Sequence, residues 1–272
     1  MTENPNMAEP VTVATLTAMK CTGEKFACLT AYDASFAALL DAAGIELIMI
    51  GDSLGMVVQG HDTTLPVRMT DMIYHSQCVA RASQRALRVV DMPYQSYGTP
   101  DQALTNAVRL IEEGQAQMVK LEGGAAQVAT VRHLVAHDVA VCGHVGLTPQ
   151  SVLELGGYRV QGRDAASAAA IRNDALALQD GGIGLLVLEC VPESLGREIS
   201  AALTIPVIGI GAGPDCDAQV LVLYDMLGIT SGKRPRFVKD FLAEAGSVSA
   251  AVTAYSRAVK ICTFPGPEHC YR

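Results

Sequence analysis

Eight short apolar runs, each followed by a turn and a helical stretch, constrain this chain more than any other feature. They are "KFACLTAYD", "IELIMIGD", "LRVVDMP", "QMVKLEG", "VAVCGHVG", "GLLVLECV", "PVIGIGAG" and "QVLVLYD". Near-continuous apolar character marks strands covered on both faces, and such strands belong to parallel sheets. The helical stretches carry their own start and stop signals. In "TPDQALTNAVRLIEEG" Thr99 reads as the N-cap, Pro100 as the first helical residue, Gln102 as the partner in a capping box and Gly114 as the stop. "DAASAAAIRNDALALQDGG" starts near Asp164 and stops at Gly181. Eight β units alternating with helices predict an α/β fold, a (β/α)8 TIM barrel, with a doubly wound open sheet as the alternative. One barrel domain is expected over residues 1–272. Its first dozen residues are polar and read as loose. Its tail, from about residue 232, reads as helical and then irregular, packed on the barrel or on a neighbouring subunit.

Composition narrows the function classes. A chain of 272 residues that is 50% hydrophobic can bury one large core. A net charge of -8 repels phosphate backbones, so nucleic acid is not an expected partner. The one basic cluster, "GKRPRFVK" (232–239), reads as a solvated face. The eight cysteines form no CxxC pair and read as small buried hydrophobes in a reducing compartment. "MTENPNMAEP" has neither the basic nor the apolar part of a secretion signal, and charges such as Asp52 and Asp91 interrupt every apolar run. The expectation is a cytoplasmic protein without membrane spans.

Position makes the polar residues informative. Asp52, Asp91, Glu122, His144 and Glu189 fall at or near the ends of different strands, and Lys120 stands two before Glu122. The residues two and four earlier are largely apolar: Ile50 and Ile48, Val89 and Leu87, Val187 and Leu185. Period two then aims each polar group at the barrel axis, at the C-terminal mouth where barrel enzymes build their sites. Taken singly, Asp52 or Asp91 reads equally well as the cap of the next helix. Three carboxylates at one mouth raise each other's pKa and call for a cation. Asp52, Asp91 and Glu122 offer oxygen only, a set that suits Mg²⁺ or Mn²⁺ and not a structural zinc. His144 reads as a hydrogen-bonded supporting residue, with metal ligation as the other option. Lys120 could simply pair with Glu122, and Glu189 could be a stray barrel-layer carboxylate, though unpartnered burial is costly. "GIGAG" (209–213) reads as a tight turn, being too weak for a nucleotide loop. The 56–67 loop is a candidate cover for the mouth.

Longer stretches bring in a resemblance. "TAYDASFA" (30–37), "GDSLGMVVQGHDTTLPV" (51–67), "MVKLEGG" (118–124), "CGHVGLTPQS" (142–151), "GGYRVQGR" (156–163), "LLVLECVP" (185–192) and "PVIGIGAG" (206–213) resemble the ketopantoate hydroxymethyltransferase family. The resemblance runs from about residue 11 to the final "FPGPEHCY". It implies a barrel of the phosphoenolpyruvate/pyruvate superfamily and a homodecamer of two pentameric rings. It implies hydroxymethyl transfer from 5,10-methylenetetrahydrofolate to 3-methyl-2-oxobutanoate, giving 2-dehydropantoate and tetrahydrofolate. It puts magnesium ligands on Asp52, Asp91 and Glu122, oxoacid contacts on Asp52, Ser53, Asp91 and Lys120, and the catalytic base on Glu189. Burial between Leu188 and Cys190 is expected to make that base stronger. Ala218 departs from the family's glycine, at what reads as the turn into the last strand. The alternative is another metal-dependent 2-oxoacid lyase or aldolase on the same barrel, a Schiff-base enzyme using Lys120 among them.

Overall fold

A computed structural model of the chain describes residues 9–230, 232 and 234–272. The polar start at 1–8 and Lys233 of the basic cluster lie outside the described residues. After α1 (Val13–Thr22) come β1 (Phe26–Thr30), α2 (Ala34–Ala42), β2 (Leu47–Ile50), α3 (Leu54–Val57) and α4 (Met69–Ala80). The middle of the chain forms β3 (Leu87–Asp91), α5 (Pro100–Glu112), β4 (Met118–Glu122), α6 (Val128–Val135), β5 (Val141–Gly146) and α7 (Ala165–Gly181). Then follow β6 (Leu185–Glu189), α8 (Glu193–Ala202), β7 (Val207–Ile210), β8 (Ala218–Leu221), α9 (Leu223–Met226), α10 (Leu242–Ala245) and α11 (Val248–Lys260). The strands pair in chain order and β1 closes on β8, all in parallel, so the barrel is complete and the open-sheet alternative is excluded.

Two apolar layers explain why the strands read as continuous runs. Leu47, Met49, Leu87, Val89, Met118, Cys142, Leu185, Val187, Ile208 and Val220 fill the barrel. Their neighbours in sequence, among them Ile48, Ile50, Val90, Val119, Leu186 and Leu188, pack outward under the helices. This parity supports the inward aim of Asp91, Glu122, His144 and Glu189, and corrects it for Asp52. Ile48 and Ile50 face the helices, so strand alternation does not turn Asp52 inward. Asp52 lies beyond the last residue of β2, in the turn that leads to α3, and the turn swings it over the mouth. Ala218 is likewise not in a turn; it is the first residue of β8, buried inside the barrel.

The ends of the chain are better anchored than their composition suggests. Val11 is buried and its N–H donates to the Arg85 carbonyl at 2.8 Å, so the loose start does not extend through residue 12. With Leu16 it joins the residues that close the N-terminal end of the barrel. At α5, Thr99 caps as expected, but the Gln102 carboxamide accepts from Gly98 N–H instead of completing a capping box. α11 packs on β1, where the buried Tyr255 hydroxyl shares its one hydrogen between the carbonyls of Cys28 at 2.9 Å and Gln219 at 2.8 Å, bracing the β1–β8 seam. Tyr255→Phe removes the donor and leaves both carbonyls in a dry environment. Urea unfolding should report a loss of about 1–3 kcal/mol; an unchanged midpoint would show that the seam does not depend on this hydroxyl.

Candidate active site

The C-terminal mouth of the barrel opens into a cavity of about 1300 Å³ lined by Asp52, Ser53, Asp91, Lys120, Glu122, His144 and Glu189, among others. Every residue that the sequence pointed to is therefore in one place. Lys120 and Glu122 come from alternate positions of β4, and the strand stops where backbone geometry demands it. Gly123 adopts φ 123°, a region open to glycine. A Cβ on Gly124 would run into the carboxylate of Asp174, which accepts the Ala125 N–H. A side chain at 124 would have to displace that carboxylate and its bond to the Ala125 N–H.

Asp52, Asp91, Lys120, Glu122 and His144 are each at most 5% exposed. Burial at that level requires partners, and they form one network. The Lys120 ammonium lies 3.2 Å from Asp91 Oδ1 and 3.9 Å from Glu122 Oε1, so its nearer counter-ion is Asp91 and not the strand neighbour. Asp91 Oδ2 accepts the Asp52 N–H at 3.0 Å, fixing the turn that carries Asp52. Asp91 Oδ1 is buried and, beyond the ion pair, has no hydrogen bond. His144 stands between two carboxylates, Nδ1 at 3.4 Å from Glu122 and Nε2 at 3.2 Å from Glu189. Lys120 Nζ is also 3.2 Å from His144 Nδ1. The apolar surroundings expected of Glu189 are thus incomplete. Leu188 faces the helices, and the side chain meets His144 in the cavity wall.

The titrations follow from this crowding. Burial, then the charges of Asp91 and Glu122, push Asp52 well above the usual carboxylate range. Burial also raises Asp91, against the pull of Lys120. Glu122 goes the other way: burial opposes its charge, but His144 and Lys120 outweigh that and lower its pKa. Burial works against the Lys120 ammonium too, yet Asp91, Glu122 and Asp52 hold it above its ordinary value. For His144, burial and Lys120 disfavour the charged ring, and the adjacent carboxylates of Glu122 and Glu189 overcome them, raising it to about 9.

The walls hold residues that sequence reasoning passed over. Gln150, in a short 3₁₀ turn at Pro149–Ser151, donates from its side chain to Asp52 and from its backbone N–H to Glu122. Tyr32 Oη is 2.9 Å from Ser53 Oγ, positioning that hydroxyl. Both stand inside stretches that carried the family resemblance, but in loops or strand ends where no periodicity points at a partner. Arg159, Arg163, Arg236 and Tyr271 also line the cavity. So do Met56, His61, Asp62 and Thr64 of the expected cover loop, and Tyr158 Oη donates across to Met56 Sδ at 3.4 Å. "GIGAG" spans the last two residues of β7 and the turn that follows, with Gly211 at φ 65°. Five of the cysteines are buried and all eight are free. Among the described residues no three His, Cys, Asp or Glu side chains are grouped to hold a metal as they stand. No helix among them is long and apolar enough to cross a membrane.

The profile of the family described as ketopantoate hydroxymethyltransferase matches residues 10–267. A 3-methyl-2-oxobutanoate hydroxymethyltransferase of Paraburkholderia phymatum is 59% identical over 261 residues, 96% of each chain. One from Halorhodospira halophila is 58% identical over 259 residues, 95% of this chain and 94% of its own length. Among solved structures, 2,3-dimethylmalate lyase, a member of the PEP mutase/isocitrate lyase superfamily, matches with a TM-score of 0.58 at 17% identity, covering 82% of this chain and 81% of that one. That likeness speaks for the barrel type alone, whereas the profile and the close relatives span nearly the whole sequence. The chain belongs to the ketopantoate hydroxymethyltransferase family.

Proposed function

We propose that the protein transfers a hydroxymethyl group from 5,10-methylenetetrahydrofolate to 3-methyl-2-oxobutanoate, giving 2-dehydropantoate and tetrahydrofolate. One observation carries the reading for this chain: three buried carboxylates, one buried ammonium and a separate carboxylate, Glu189, line a single cavity. At about 1300 Å³ that cavity is larger than most small-molecule pockets, with room for an oxoacid and a bulkier donor together.

Asp52, Asp91 and Glu122 would hold Mg²⁺. Their fit to a hard divalent cation rests on two features. The donors are all oxygen, and burial and mutual repulsion push Asp52 and Asp91 up, a penalty that a cation relieves. The chemistry such an ion supplies when bound is polarisation of the substrate's keto group. The remaining work falls to the chain. Lys120, kept charged by its carboxylates, presents a fixed positive charge to the substrate's oxygens. That charge also argues against a Schiff base, which needs the free amine. Ser53, positioned by Tyr32, can donate to the substrate carboxylate. Glu189 takes the C3 proton, while His144 orients its carboxylate. The carbanion so formed bonds to the methylene carbon of the folate as that carbon's two C–N bonds break in turn; one water supplies the hydroxyl oxygen, and the freed nitrogens take up protons, releasing tetrahydrofolate and 2-dehydropantoate. The assembly in this reading is the homodecamer of two pentameric rings, in the cytoplasm.

The test is formation of 2-dehydropantoate from the oxoacid, with and without folate donor and with and without chelator. Product that requires both the donor and a divalent ion is expected. Carbon–carbon cleavage of a 2-oxoacid without folate would replace this reading with a lyase.

A pH dependence follows from His144. Its folded pKa of about 9 exceeds the ordinary 6.5, so its contribution to stability is complete below about 6.5 and lost as pH rises towards 9. Asp52 and Asp91, also raised, act with the same sign from lower pH. In EDTA, the melting temperature should therefore fall between pH 6.5 and 9, and His144→Asn should flatten that slope. A wild-type profile flat across this window would mean that the ring is not charged between its two carboxylates.

A further inference from the structure

We propose that Gln150 is a positioning residue: its carboxamide clamps Asp52 to the ends of β3 and β4, presetting the carboxylates for the divalent ion. The proposal rests on the functional reading above. Gln150 is 6% exposed, and every polar group it carries, apart from its own carbonyl, has a role in the network. Its Nε2 donates to Asp52 Oδ2 at 2.8 Å and to the Met92 carbonyl at 2.9 Å. Its Oε1 accepts from the Tyr97 hydroxyl. Its backbone N–H donates to Glu122 Oε2 at 2.9 Å.

The direction of these bonds is forced. A carbonyl and a carboxylate both accept, so the NH₂ end must face Met92 and Asp52, and Oε1 must face Tyr97. Tyr97 in turn accepts from the Glu122 N–H at 3.4 Å, leaving its own hydrogen for Gln150. The result is a closed circuit. It runs from the Glu122 backbone through Tyr97 to the Gln150 side chain, and from the Gln150 backbone to the Glu122 carboxylate. Asp52 needs this support more than its companions do. Asp91 and Glu122 are the terminal residues of β3 and β4, held by the sheet, whereas Asp52 sits in the turn after β2. Its carbonyl accepts only from its own turn, at the Gly55 N–H; the contacts that tie it to the rest of the mouth are two, Asp91 taking its N–H and Gln150 its carboxylate. Losing a group that orients a metal ligand by hydrogen bonding typically costs about 10- to 100-fold in metal affinity or activity.

Gln150→Leu keeps the backbone bond to Glu122 and removes only the carboxamide. Isothermal titration of the purified full-length protein with Mg²⁺ should show affinity weakened by about 10- to 100-fold. The melting temperature in EDTA serves as the control for folding. Tyr97→Phe, which never touches Asp52, should weaken Mg²⁺ binding in the same direction by less, and it covers the case of a Leu variant that does not fold. Added to Gln150→Leu, it should bring no further loss of affinity, because both act through one circuit. A Gln150→Leu protein that melts earlier in EDTA but binds Mg²⁺ as tightly as wild type would overturn the clamp, as would wild-type affinity in Tyr97→Phe. Absence of Mg²⁺ binding in the wild type is a different result. It would remove the functional reading, and the clamp with it.

Discussion

Asp91→Ala should lose oxoacid binding and divalent-ion binding together, with kcat/KM reduced by at least about 10²-fold, the scale of losing one fixed electrostatic contact in a dry site. Two contacts end at once. Lys120 is left without the counter-ion 3.2 Å away, and the Asp52 N–H loses its acceptor at 3.0 Å. Asp91→Asn separates these effects. An asparagine oxygen can still accept from Asp52 N–H, so the turn stays in place, while the charge is gone. If charge at this position is what holds the ion and the substrate, Asn should be nearly as damaging as Ala. If Asp91 serves only to hold the Asp52 turn, Asn should restore most of the activity. Calorimetry with the oxoacid, with and without Mg²⁺, reads the outcome directly. Unchanged oxoacid affinity in Asp91→Ala would refute the idea that the ion bridges protein and substrate.

The contrast between Asp91 and Asp52 shows what a sequence can and cannot reveal. Asp91, Glu122 and Glu189 end their strands and His144 stands two residues before the end of β5, each in line with inward apolar residues such as Val89, Met118, Cys142 and Val187, and period two alone turns them to the axis. Asp52 belongs to the same site for another reason. Its strand ends at Ile50 with the opposite parity, and a turn fixed by Asp91 delivers it. Turn geometry depends on a partner 39 residues away, which no local pattern encodes. Gln150 and Tyr97 escaped notice for the same reason: each is an ordinary loop residue until β2, β3 and β4 come together. The barrel itself was legible because every strand is covered on both faces, so burial writes itself into consecutive residues. The anchoring of Val11 was not, because a single valine after a polar start carries no period.

Glu189→Gln should abolish product formation while leaving ion and oxoacid binding near wild type. Glu189 stands apart from the proposed ligands, in the cavity wall, with His144 Nε2 at 3.2 Å as its partner. A glutamine keeps the shape and can still accept from that ring nitrogen, but it does not take a proton from carbon. Removal of a general base typically costs about 10²–10⁴-fold. Proton abstraction precedes any reaction with folate, so it can be observed alone. With Mg²⁺ and the oxoacid but no folate, the wild type should exchange the C3 hydrogen of 3-methyl-2-oxobutanoate with D₂O, and NMR follows the disappearing signal. The Gln variant should bind the oxoacid and exchange no faster than the reduced rate allows. His144 is the informative rival, because it lies against the same carboxylate and is also buried at the mouth. Both of its ring nitrogens face carboxylates, Nδ1 at 3.4 Å from Glu122 and Nε2 at 3.2 Å from Glu189, which raises its pKa and favours the ring as a donor rather than a base. Exchange at the wild-type rate in Glu189→Gln would contradict that assignment and reduce Glu189 to the group that holds His144 in place.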